Sequence, residues 1–220
     1  MKKRIMIAAI GILVVAIQLQ AGWVIEQNTT LPDGKKSNQV LYIQNNKMAM
    51  TGDQQVIFNM ETQEITVIMP DQGTYMKFPP EMMESMGKML PEWKGKVEIK
   101  KTSDTEPILG HETTKYQVMV DGALTQELWM AKDLNIGEDL DMEKFTHMSS
   151  AQMRRSTYQS SPEYQELMKM GYPLKQVQYQ GDKKITMQVT KIEKEDIPES
   201  RFEVPTGLKQ MDMQKMMQGH

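Results

Sequence analysis

The chain has 220 residues, a net charge of −3 and no cysteine. The missing cysteine excludes a disulfide framework, and the acidic balance argues against a nucleic-acid or anionic-membrane surface, which needs a basic patch. Its commonest apolar side chain is methionine, 23 in all, flexible enough to fit irregular surfaces and soft enough to bind monovalent copper.

Lys2, Lys3 and Arg4 precede an unbroken apolar run from Ile5 to Ile17. That run is shorter than the ~20 residues that span a bilayer, and the positive flank followed by a short apolar core reads as an export signal. Residues 1–21 are therefore expected to be a signal peptide, cut after Ala21. Without a cysteine to acylate, the leader is not a lipoprotein signal, and the mature chain is expected to hold no transmembrane segment. Removing three positive charges from a chain of 26 basic and 29 acidic residues leaves 26 − 3 − 29 = −6. One domain over residues 22–207, followed by a methionine-rich tail over 208–220, is the simplest organisation.

Short alternating segments follow. Val24 and Glu26, Val40 to Ile43, Lys47 to Thr51, Gln55 to Asn59, Glu64 to Met69 and Thr74 to Phe78 read as successive strands. Asp33-Gly34, Asn45-Asn46, Gly52-Asp53 and Asp71-Gln72-Gly73 punctuate them. Pro80 to Leu90 reads as a helix with Met82, Met83, Met86 and Met89 at helical spacing. Val97 to Ser103 opens a second strand group. Lys115 to Val120 and Ala123 to Lys132 flank Asp121-Gly122, a pair suited to a tight type I′ turn. Asp139 to Arg155 is expected to be helical, with Leu140, Phe145 and Met148 among charges. Ser161-Pro162-Glu163 starts another helix, carrying Tyr164, Leu167 and Met168 and ending at Gly171. Leu174 to Gln180 and Lys183 to Ile192 close the set across Gly181-Asp182. Strands in runs with helices inserted between them predict an α+β fold built on one large antiparallel sheet.

The chemistry of a reaction centre is hard to find. His111, His147 and His220 have no ligand-spaced partner, and no Cys-x-x-Cys, His-Glu-x-x-His, Gly-x-Ser-x-Gly or phosphate-cradling glycine loop occurs. Asp139, Asp141 and Glu143 read as an acidic helix start, because the glycine and distal glutamate of a calcium loop are missing. No catalytic residue and no cofactor is assigned. The methionines offer two alternatives to plain core packing. Met82, Met83, Met86 and Met89, with Phe145, Met148 and Leu167, are candidates to line a site for a hydrophobic ligand. Met211, Met213, Met216, Met217 and His220 are candidates for a copper(I) site.

Further pieces carry a family resemblance. Ile185 to Ile192 and Ile197-Pro198-Glu199-Ser200-Arg201-Phe202-Glu203-Val204-Pro205-Thr206-Gly207 resemble the closing segment of an exported bacterial family known as domain of unknown function 4412. Leu41-Tyr42-Ile43, Ile68 to Met76, Gly110 to Tyr116 and Glu127 to Leu134 are similar to its earlier segments. The family itself looks like a relative of the LolA/LppX-type lipoprotein carriers. That resemblance implies a strongly curved sheet, a half-barrel whose concave side is covered by helices. The expected function is then that of an exported, periplasmic, non-catalytic protein. It would bind a lipid or lipoprotein acyl chain in a sheet–helix cavity. A methionine-based copper(I) protein and a structural or protein-interaction module of the cell envelope are the alternatives. Expected partners are a hydrophobic small molecule or lipid, or an envelope protein, and no nucleic acid.

Overall fold

Twelve strands form one open sheet in the order β12-β6-β5-β4-β3-β2-β1-β11-β10-β9-β8-β7. The computed structural model describes residues 21–211 apart from 53, 90, 92, 142–143, 146–147 and 149–156. Except for Ala21, the expected signal peptide lies outside them, as do the tail residues beyond Met211.

The strands are β1 (Gly22–Thr30), β2 (Lys36–Gln44), β3 (Lys47–Thr51), β4 (Gln55–Asn59), β5 (Glu64–Met69) and β6 (Thr74–Phe78). After helix α1 (Pro80–Met89) come β7 (Val97–Ile108), β8 (His111–Val120) and β9 (Ala123–Ala131). Helix α2 (Pro162–Met168) leads into β10 (Tyr172–Gln180), β11 (Lys183–Glu195) and the short β12 (Lys209–Gln210). Turn chemistry sets the joins. Asn45 and Asn46 have φ of 50° and 57°, and Asp121 and Gly122 have 50° and 83°. Both pairs thus occupy the positive-φ region that tight hairpins need. Gly171 marks a close approach: at φ 151°, a Cβ there would stand 2.2 Å from the carbonyl oxygen of Ala131.

Three expectations need correction. The fold is sheet-dominated rather than balanced α+β, since the two α-helices described from end to end span only 10 and 7 residues. Nor is the sheet purely antiparallel, because β12 pairs in parallel with β6 at Lys209↔Thr74 and Gln210↔Tyr75. The helices do not gather on one side, either. Met83 of α1 belongs to the same buried cluster as Ile25 and Trp129, whereas Tyr164 and Leu167 of α2 belong to that of Leu128 and Met130. Side chains alternate across a strand, so Leu128 and Trp129 mark opposite faces, and α1 and α2 lie on opposite sides of the sheet. The reason is physical: a sheet this wide has two apolar faces to cover, and irregular chain does much of the covering. Leu134, Ile136 and Leu140 cover part of the face under α1, here called the front. Ile197, Phe202, Val204 and Leu208 cover the back of β1–β6. Of the helix expected over 139–155, Lys144, Phe145 and Met148 are helical, and Ile136–Glu138 just before it forms a 3₁₀ turn.

Candidate functional site

The front of β1–β6 is apolar. Ile25, Ile43, Met48, Ile65 and Phe78 are buried there, and Met60 joins them from the β4–β5 turn. Helix α1 starts on a proline; the backbone N–H groups of Met82 and Met83 both donate to the Pro79 carbonyl at 3.1 Å. Its buried residues are Met83 and Gly87, with Met82 half-buried against the same cluster. The helix therefore meets the sheet largely through thioethers. Met148 is buried in this cluster, and Phe145 stands edge-on to Phe58 with ring centroids 5.7 Å apart. Unbranched thioether chains adapt their shape at small cost, so this seam can re-pack.

Beyond Trp129 the same face changes character. Strand register sets Lys115 and Lys175 on either side of Trp129, and Gln117 beside Glu127. The ammonium groups of Lys115 and Lys175 lie 5.2 and 4.4 Å from the Trp129 ring centroid. Glu127 accepts from Lys115 at 2.8 Å, Gln117 at 3.1 Å and Tyr179 at 2.8 Å, while Lys175 donates to Glu106 at 2.9 Å. Burial pushes the Glu127 carboxyl up, but the hydrogen bonds from Lys115, Gln117 and Tyr179 outweigh it and hold the group below its ordinary value. The bond to Glu127 raises Lys115 against its own desolvation. Burial and the same carboxylate raise Tyr179. This is a self-satisfied network, with every charge partnered inside it.

The sequence candidates distribute unevenly. Met82, Met83, Phe145 and Met148 converge on the front cluster. Met86 is 39% exposed and Met89 75%, so the helical stripe turns only one edge inward. Leu167 is buried on the back face with Tyr164 and Met168, and does not share a site with the others. Met211 donates its backbone N–H to the Tyr75 carbonyl at 2.8 Å. Met213, Met216, Met217 and His220 lie outside the described residues. His111 bonds Asp133 at 2.7 Å, and among the described residues no group of three or more histidine and acidic side chains is placed to hold a metal. Sequence reading missed the Glu127 network, whose members meet only through strand register. Its one visible signal is Glu127, the single charge of its strand, set directly before the apolar Leu128-Trp129-Met130.

Comparison with known proteins adds a family and weak structural likenesses. The model of a domain of unknown function, DUF4412, matches residues 19–208. No match was found among curated protein sequences. Two solved structures of PNGF-II, in C2 and P21 space groups, are similar at 15% and 14% identity with TM-scores of 0.46 and 0.45. Each likeness covers 90% of this chain, which spans about a third of the PNGF-II chain, 32% and 33%. A LolA superfamily protein from Nitrosomonas europaea is similar at 8% identity and TM-score 0.30, over 86% of this chain and 92% of that one.

Proposed function

The chain belongs to the DUF4412 family, and from that premise we propose that it is an exported, non-catalytic binding protein for a hydrophobic ligand. The ligand, a lipid or an acyl chain, lodges between α1 and the front of β1–β6. One observation carries the reading: α1 is seated on the apolar sheet by Met83 and Met82, side chains that re-pack readily. An acyl chain sliding under the helix replaces thioether contacts with methylene contacts of similar dispersion energy. The ion network beyond Trp129 gives the apolar floor a polar border, which limits how far such a chain extends. The leader directs the protein to the periplasm.

Uptake of a dansyl-labelled hexadecanoic acid by the mature protein tests this, with native mass spectrometry of protein from envelope extract beside it. The expected result is saturable fluorescence and a retained lipid mass, both weakened by Met82→Gln, with the protein recovered from the periplasmic fraction after cleavage at Ala21. A clean apo mass together with no fluorescence change would sink the reading.

A second reading, a docking platform for an envelope protein, is favoured by β7. It ends the sheet and offers a strand edge 12 residues long, the kind of edge that accepts an added strand. Recovery of one stoichiometric envelope protein without lipid would select it.

A further inference from the structure

The geometry points to a second, separate binding site on the back of the sheet, a groove that takes a small organic cation on a short apolar stem. A cleft of about 390 Å³ lies between β4–β6 and the segment that follows the 3₁₀ turn Glu199–Phe202. That size falls at the lower end of small-molecule clefts, roughly 300–1,000 Å³. Ile57 and Thr66, both buried, line its strand side, and Phe202 and Val204 form the opposite wall. The wall is built in advance. Ile197 and Phe202 are anchored in the back core, Arg201 lies over the Tyr42 ring at 4.9 Å, and Lys47 bridges to Glu199.

Charge then selects the ligand. Lys77 is paired with Glu64 at 2.8 Å, so these two lining charges cancel. Glu203, also in the lining, is exposed and has no ion-pair or hydrogen-bond partner among the described residues. The charges lining the cleft thus sum to one negative, and Tyr75 and Phe202 belong to the same lining. A carboxylate and aromatic faces both attract a cation, while Ile57 and Val204 favour an alkyl stem behind it. An alkylguanidinium or alkylammonium meets these conditions, and an alkyl carboxylate does not. The site stands independently of the front-face reading.

Four probes with one stem test it by calorimetry on the mature protein: butylguanidinium, butylammonium, butanol and butyrate. Both cations should bind more tightly than butanol, with butyrate weakest, and added salt should narrow the gap. Glu203→Gln should weaken butylguanidinium about twofold to fivefold, the range of an exposed ion pair, without moving the unfolding midpoint. Lys77→Met releases Glu64 and should strengthen it. Equal affinity for all four probes, no binding of either cation, or an unchanged Glu203→Gln affinity would overturn the assignment.

Discussion

The front of β1–β6 and the front of β8–β10 belong to one continuous surface but are built on opposite rules. In the first, Ile25, Ile43, Met48 and Phe78 meet a methionine-seated helix, and contact is non-directional. In the second, Lys115, Gln117, Glu127, Lys175 and Tyr179 are fixed by named hydrogen bonds and strand register. Trp129 is the border, apolar enough for the core cluster and flanked by two ammonium groups. The contrast teaches that a sheet can hold an adaptable surface only where shape, not hydrogen bonding, defines the contact. A directional network tolerates no re-packing.

If the contrast holds, damage is unequal in kind as well as size. The largest loss should come at the border: Trp129→Ala removes the ring shared by both halves and should cost about 3–5 kcal/mol in denaturant unfolding. In the adaptable half, Met83→Ala should cost about 2 kcal/mol, the low end for a core methionine, because α1 can settle into the space. Met83→Leu should cost less than about 1 kcal/mol; a larger cost would mean that the seam is as rigid as an ordinary core.

In the directional half, Glu127→Gln keeps shape and should still cost about 1–2 kcal/mol, since Lys115 loses its nearer charged partner and keeps only Asp104, at 3.6 Å. The same variant tests pH dependence. Glu127 is held low, so its contribution is complete above its unfolded value near ~4.3 and is lost as pH falls through the lower folded value. Lys115 is held high, so its contribution is complete below ~10.4 and is lost as pH rises through the higher folded value. Glu127→Gln should remove the acid limb, read from unfolding midpoints across pH, and an unaltered acid limb would assign it to other carboxylates. Smallest of all, Met89→Ser on the outer side of α1 should change stability by less than about 0.5 kcal/mol.

The strands were legible because period-two alternation and paired turn residues are local signals. Asn45-Asn46 and Asp121-Gly122 state their conformation in two residues. The far half of β7 was not legible. Its alternation breaks at the irregularity between Lys101 and Thr105, and its turn places Leu109 at φ 51°, a conformation leucine rarely adopts. The side each helix covers was also hidden, because Met83 and Leu167 carry the same amphipathic signal whichever face receives them. The Glu127 network was invisible for a related reason: Lys115, Glu127 and Tyr179 come from three strands. Both proposed sites likewise depend on which segments the sheet brings together, so only the methionine spacing announced a site.

The pairing of β1 with both β2 and β11 has a consequence for assembly. Gly22 to Thr30 form the seam between the two halves, and the partner on one side runs from Thr186 to Glu195. A chain made from its N-terminus can zip β1 through β6 early, yet one flank of β1 stays bare until the far end arrives. The first strand in sequence is among the last to gain both neighbours, which delays completion of the sheet until β11 is present.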